Sequence, residues 1–327
     1  MGIIDENKAQ YRLWCEQSGI KSTSDINRIV DEGKISGLID ICEERHAREL
    51  ARIADAIRGK NSRAVFIAGP SSSGKTTTAH KLQTYLDKIG IRAVSVSLDD
   101  YYLENDMMPK NAEGEPDFEA LESIDYKRFN ENLSDLTAGR EAVMPEFSFT
   151  EKKVIPNART LRLRENEIVI VEGIHALNPK LAEGIGEDEK FRLYCTALSV
   201  LNDENGERIP SHRVRQARRL VRDYYFRSSD YKITFGLWTN QETSAERNIY
   251  PYTDTADMIF NTSLMYELNV YRPHLLKILD GVEENYGFIG EVRYLQNLAE
   301  DLKTIDDAAV PDMSLVREFI GGGTLKY

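Results

Sequence analysis

The chain has 327 residues, 41% hydrophobic and 29% charged, which is enough apolar material for a sizeable core beneath an ordinary water-facing surface. Its 42 basic and 54 acidic residues leave a net charge of −12, which argues against a general binder of nucleic acid or anionic membrane, since both present negative phosphate. Cys15, Cys42 and Cys195 form no C-x-x-C pair, no apolar run approaches the roughly 18 residues of a membrane span, and the acidic start is unlike a secretory signal, so the cytoplasm is the expected compartment.

The first sixty residues read as helical, with Ile39, Cys42, Leu50, Ile53 and Ile57 near one face. Ala64 to Ala68 is a short apolar strand that enters a Gly- and Ser-rich turn. A helix follows, with Ala79, Leu82, Leu86 and Ile89 on one stripe and Gly90 at its end. Ala93 to Leu98 is the next strand, so the order is a βαβ unit, which calls for a parallel sheet with a right-handed crossover. After a polar loop from Asp99 to Pro116, a helix is expected around Tyr126 to Leu136. Val143 to Leu163 reads as an antiparallel insertion, with Phe147 and Phe149 alternating. Ile168 to Val171 has the unbroken apolar character of a strand buried on both faces. Further strands are expected at 191–200 and 258–260, and a strongly basic helix at 213–225. The tail carries Gly321, Gly322 and Gly323, which are either flexible or tightly turned. The expected fold is α/β, a doubly wound and mostly parallel sheet. Its expected parts are a helical extension (1–60), a sheet domain (61–300, with an insertion at 143–163 and a basic segment at 211–231) and a tail (301–327).

Gly69-Pro70-Ser71-Ser72-Ser73-Gly74-Lys75-Thr76 fits G-x-x-x-x-G-K-[ST]. In such a loop the glycines let backbone N–H groups wrap round phosphate oxygens, and the following helix adds its positive end. Lys75 then reaches the β- and γ-phosphates, and the Thr76 hydroxyl ligates Mg²⁺. A chance Ser/Gly turn would match the letters, but it would not also place a strand before and an amphipathic helix after. Thr77 continues the nucleotide-binding stretch.

Glu172 closes an apolar strand at the end where open α/β sheets bind ligands, which makes it a candidate for the metal shell. A solvent-facing acid at a strand end is the plainer alternative. Asp99 and Asp100 also follow a strand directly, so one carboxylate can orient an acceptor hydroxyl and take its proton, while an Asx-type turn accounts for the other. His175 is read as a structural histidine. Arg213, Arg215, Arg218, Arg219, Arg222 and Arg227 crowd into fifteen residues of an acidic protein. A charge run is usually a solvated face. Here the concentration points to something anionic that docks there, and a mobile arginine segment can neutralise the charge that phosphoryl transfer spreads over the equatorial oxygens. RNA binding is the weaker use of the patch, because no aromatic interleaving accompanies it.

As a set these residues resemble the uridine kinase and phosphoribulokinase family: Gly69 to Thr76, Ser97 to Tyr102, Glu172-Gly173-Ile174, and Arg219 to Asp223 with Arg227, over about Ala64 to Asn261. Glu172 to Pro179, Ala256 to Asn261 and Arg317 to Gly322 look similar to the bacterial uridine-kinase-like nucleoside kinases. Long members of that group carry a further N-terminal domain, and this chain begins where such a domain would end. The resemblance implies a P-loop NTPase fold in which 61–300 is the kinase domain and 211–231 an arginine lid. It implies Asp99 as proton acceptor, Thr76 and Glu172 around Mg²⁺, Arg219, Arg222 and Arg227 on the phosphates of ATP, with Arg222 and Arg227 catalytic, and Tyr101, Glu119, Phe147 and Lys152 about the acceptor. Phe147 and Lys152 stand where ordinary uridine kinases have a tyrosine and a histidine, and Glu119 stands for their ribose-binding aspartate, so uridine itself does not follow. The expected activity is transfer of the ATP γ-phosphoryl group to a hydroxyl of a small molecule, most simply the 5′-hydroxyl of a nucleoside. A sugar or other polyol kinase and an RNA-associated nucleotide switch are the alternatives. No nucleic acid or membrane partner is expected, and a homo-oligomer is compatible with the sequence.

Overall fold

The computed structural model describes residues 2–110, 114, 116–148, 151 and 153–325. Three helices come first: α1 (Ile3–Gln17), α2 (Thr23–Asp31) and α3 (Ile35–Lys60). A capping box starts α2, in which the Ser22 hydroxyl accepts from the Asp25 N–H and the Asp25 carboxylate accepts from the Ser22 N–H. Asn61, in the left-handed region at φ 55°, ends α3 and turns the chain into the sheet.

The sheet elements are β1 (Ala64–Ala68), α4 (Lys75–Lys88), β2 (Arg92–Ser97), α5 (Tyr126–Thr137), β3 (Ala142–Ser148), β4 (Lys153–Leu161), β5 (Glu167–Glu172) and β6 (Lys190–Thr196). After them come α6 (Ser211–Phe226), α7 (Tyr231–Asn248), β7 (Met258–Asn261), α8 (Glu267–Ile278), α9 (Ile289–Asp301) and the short α10 (Arg317–Ile320). The five-stranded sheet is parallel throughout, in the order β2-β5-β1-β6-β7, and β3-β4 is a separate antiparallel pair. The pairing of β3 with β4 shifts between Met144 and Glu146, where Pro145 has no N–H to give the ladder. The expected α/β class is therefore what the chain adopts.

Alternation along the central strands sorts the core into two layers. Val65 and Ile67 of β1 and Ile168 and Ile170 of β5 pack with Leu50, Ile53 and Ile57 of α3 and Leu82 and Leu86 of α4. Phe66, Val169 and Val171 face the other way, toward Phe129 and Leu133 of α5 and Phe147 of the hairpin. A third cluster joins α1 and α2 to α6, α8, α9 and the C-terminal residues Leu315, Val316 and Phe319. No helix among the described residues is long and apolar enough to cross a membrane.

The strand order sets the functional geometry. The crossover from β1 through α4 skips one place before β2, and β5 fills the gap, pairing Ser97 with Glu172 on one side and Ile67 with Glu172 on the other. Three chain segments that leave the sheet at the same end thus become neighbours: the loop after β1, the turn after β2, and the end of β5.

Candidate active site at the C-terminal edge of the sheet

The loop after β1 is shaped as the sequence requires. A Cβ on Gly69 would collide with the Cys195 carbonyl, and one on Gly74, at φ 84°, would lie 2.7 Å from a Leu315 methyl. Ser72 takes a left-handed conformation at φ 59°, a strained choice for a residue other than glycine and of a kind that gathers at functional turns. The carbonyl oxygens of Ser71, Ser72 and Ser73 accept from Arg215 (3.3 Å), Arg218 (3.3 Å) and Thr262 (2.7 Å), so the loop's own acceptors are occupied by protein donors. The Ser72 and Ser73 hydroxyls are buried with no hydrogen-bond partner among the described residues. Lys75 is half-buried, its ammonium 3.4 Å from the Pro70 carbonyl. Orphaned hydroxyls, a lysine and a helix end converging on one glycine-formed hollow fit a polyphosphate.

Glu172 and Asp99 meet beside this loop. The Ser97 hydroxyl donates to Glu172 Oε1 at 2.9 Å and also accepts from the Asp99 N–H at 3.3 Å, so one serine fixes both segments. Burial raises the Glu172 carboxyl to about 7, with the Asp99 charge adding to the rise and Lys75 opposing it. Burial likewise raises Asp99, against the pull of Lys75 and Arg227. Two neighbouring carboxyl groups, both raised by burial, with the Thr76 hydroxyl on the adjacent helix turn, form an oxygen donor set suited to Mg²⁺. Asp100 points elsewhere, pairing with Arg159 of β4 at 3.3 Å.

The arginine helix divides in two. Val214, Ala217, Leu220 and Val221 are core residues, so most of α6 is a packed helix, exposed at His212 in its first turn and from Tyr224 to its end. Two arginines are structural. Arg218 is fully buried, bonded to Glu267 at 2.6 and 3.0 Å and to Thr262, and Arg215 pairs with Glu242 at 2.6 Å. The anions they meet are the protein's own carboxylates. Arg213 donates to Gln216 at 2.8 Å and lies over the Tyr294 ring, and the remaining three gather round one buried carboxylate: Asp223 takes Arg219 at 3.1 Å, Arg222 at 2.9 Å and, more loosely, Arg227 at 3.7 Å. Three guanidinium groups to one carboxylate leave an excess of positive charge. Arg219 also donates to the Ser71 hydroxyl at 2.8 Å, and burial pushes its pKa down to about 10 despite Asp223.

On the remaining side, burial raises the Glu119 carboxyl, which feels the charges of Arg219, Asp99 and Lys75 and accepts from Gln241 of α7. Its loop is held by Ser244 and Asn248, which both donate to the Glu119 carbonyl. Phe147 is buried and meets Tyr102 edge-on at 5.7 Å, while Tyr102 meets Phe118 in the same manner. Tyr101 departs from expectation. Its ring packs against Phe129 and its hydroxyl accepts from Asn132 at 3.0 Å, in the layer beneath α5. The tyrosine beside the carboxylates is Tyr102, because a 3₁₀ turn over Leu98–Tyr101 follows β2, carrying Tyr101 beneath α5 and leaving Tyr102 just past its end. Lys152 and Phe149 lie outside the described residues. His175 is wholly buried against the backbone of Glu119 and Ala120, with burial pushing its pKa to about 4, as a neutral structural histidine. Sequence reasoning missed Gln241 and the role of Asp223. Asp223 stands inside an arginine run, a visible signal for a shared counter-ion, whereas nothing local marks Gln241.

The Phosphoribulokinase / Uridine kinase family matches residues 64–267, well over half of the chain. Uridine kinase of Schizosaccharomyces pombe is 33% identical over 170 residues, covering 51% of this chain and 33% of that protein. Inorganic pyrophosphatase TTM2 of Arabidopsis thaliana is 32% identical over 117 residues, 36% of this chain and 16% of that one. Uridine kinase of Ureaplasma urealyticum serovar 10 is 26% identical over 145 residues, 43% of this chain and 69% of that one. The matched region thus spans about a third of the length of the first of these relatives. By the extent of the family match, the chain belongs to the phosphoribulokinase and uridine kinase family.

Proposed function

We propose that the protein is a P-loop kinase that transfers the γ-phosphoryl group of ATP to a hydroxyl of a small molecule, and that a nucleoside 5′-hydroxyl is the best acceptor. The observation that carries this reading is the junction at Ser97, which ties Asp99 and Glu172 together beside the lysine of the phosphate loop. A nucleotide switch needs the loop and a residue to position water. It has no use for a further buried carboxylate placed where an acceptor hydroxyl would lie.

In this reading the cradle and Lys75 bind the ATP phosphates, and Asp99 orients the acceptor hydroxyl and takes its proton. General-base help of this kind is worth roughly 10²–10⁴-fold in rate. Arg219, Arg222 and Arg227 stabilise the charge that spreads over the equatorial oxygens during transfer. Thr76 and Glu172 would hold Mg²⁺, which when bound neutralises phosphate charge. Glu119 accepts from ribose hydroxyls, and the Phe147–Tyr102–Phe118 wall offers a base an aromatic surface that does not read its edge. Such a wall predicts broad base tolerance, because apolar contacts discriminate only about 10–200-fold per small group.

The test is kcat/KM for uridine, cytidine, inosine, guanosine and adenosine beside ribose, ribulose 5-phosphate and myo-inositol, scored as acceptor-dependent ADP release. At least one nucleoside should exceed every polyol. A polyol that beats them all refutes the nucleoside assignment, and no acceptor-dependent ADP release with any compound refutes the kinase assignment.

A further inference from the structure

The C-terminal segment lies beyond the family match, which ends at residue 267, yet it reaches the phosphate loop. It is firmly seated there. Phe319 is fully buried, edge-on to Tyr271 and under the Arg218 guanidinium. Leu315 fills the space above Gly74, and the Phe226 ring, at the end of α6, abuts Gly321. Arg317 fastens the turn by donating to the carbonyls of Asp307, Val310 and Gly321. Ser314 shares a hydrogen bond with Tyr266. The segment therefore bridges the P-loop and the arginine helix.

One polar side chain from it enters the site. The Glu318 carboxylate accepts a hydrogen bond from the hydroxyl of Thr77, which lies in the first turn of α4 directly after the phosphate-loop motif. That carboxylate is an anion at the positive end of α4, where the nucleotide phosphates are expected. Its charge is felt across the cleft, at Glu172 on one side and at Arg218 and Arg227 on the other. A threonine hydroxyl has one hydrogen to donate, and phosphate and carboxylate oxygens both need to accept it. Two anions cannot share that donor, and they repel each other at the same helix end.

We infer that Glu318 is a further residue of the nucleotide site, an internal carboxylate that competes with nucleotide phosphate for Thr77 and the α4 N-terminus and so sets nucleotide affinity. The C-terminal segment is then a latch whose carboxylate must withdraw as nucleotide enters. The inference rests on the nucleotide-binding part of the proposed function.

The experiment is ADP binding to the whole chain, by calorimetric titration, for the parent and Glu318→Gln, together with hydrogen exchange with and without ADP. Glutamine keeps the shape and an acceptor oxygen but carries no charge, so the seating by Leu315 and Phe319 is undisturbed. Glu318→Gln should bind ADP about three- to tenfold more tightly, and the gain should shrink as salt is raised. In the parent, ADP should slow exchange at residues 69–77 and speed it at residues 315–322. Unchanged or weaker ADP binding in Glu318→Gln overturns the inference, as does slower exchange at 315–322 on adding ADP. Absence of any ADP effect at 69–77 in the parent instead overturns the nucleotide reading beneath it.

Discussion

The two sides of the cleft are assembled in different ways. The phosphate side is one contiguous stretch, Gly69 to Thr77, with its glycines, lysine and helix end in a fixed order. Distant groups such as Arg218 and Thr262 only brace it. The opposite side has no such stretch. It takes Asp99 from the turn after β2, Tyr102 and Glu119 from the following loop, Phe147 from a hairpin and Gln241 from α7. A contiguous cradle depends on local backbone geometry, so a short motif encodes it. A convergent surface depends on how whole elements pack, so each residue looks ordinary in its own neighbourhood. The first is suited to an unchanging ligand such as a polyphosphate, and the second can vary with the acceptor while the chemistry is kept.

The largest expected effect separates the two sides. Lys75→Ala should lower turnover by at least about 10³-fold, since it removes the positive charge aimed at the transferred group. Its thermal unfolding without nucleotide should match the parent, because Lys75 makes one long bond to Pro70 and lies half-exposed. Near-parental turnover, or much earlier unfolding, would break the comparison by showing that the lysine serves the fold.

Next in size is Asp99→Asn, expected to lower kcat by roughly 10²–10⁴-fold while ATP binding is largely kept. Asp99 lies at the boundary of the two sides, tied to Glu172 through Ser97 and facing Lys75 and Arg227. Steady-state kinetics with each substrate varied in turn sharpens the boundary. A loss confined to ATP affinity would place Asp99 with the cradle.

How much of this was legible in the sequence follows the same division. Unbroken apolar runs at Ala64–Ala68 and 168–171 announced strands buried on both faces, and period-2 alternation announced the hairpin. The motif and its flanking elements announced the strand, the glycine-formed loop and the helix that follow one another there. The orientation of Tyr101 and Tyr102 was not legible, because it turns on the 3₁₀ turn that follows β2 and on the space under α5. Nor was the fate of Arg215 and Arg218, whose partners Glu242 and Glu267 lie 27 and 49 residues away. Charge density along a sequence reveals that counter-ions are required, but not whether a ligand or the chain itself supplies them.

The smallest expected effect concerns Asp100, the neighbour that points away. Asp100→Asn should lower turnover by no more than about tenfold, below the roughly 10²-fold at which general-base catalysis begins. Its signature is expected in stability. Burial raises the Asp100 carboxyl to about 6, with Arg159 pulling it down and Glu146 and Asp99 adding to the rise. A carboxyl raised above its unfolded value of about 3.9 holds its proton more tightly in the folded chain. The folded state then binds more protons than the unfolded one between those values, so stability falls as pH climbs from about 4 to 6. Asparagine carries no such penalty, and it loses only a partly exposed pair with Arg159 at 3.3 Å, of a kind worth about 0–1 kcal/mol. The variant's melting temperature relative to the parent should therefore be higher at pH 8 than at pH 4.5, read by calorimetry without ligands. A relative melting temperature that instead drops at pH 8 would mean that the Arg159 pair outweighs burial. A turnover loss matching that of Asp99→Asn would mean that Asp100 belongs to the reacting centre after all.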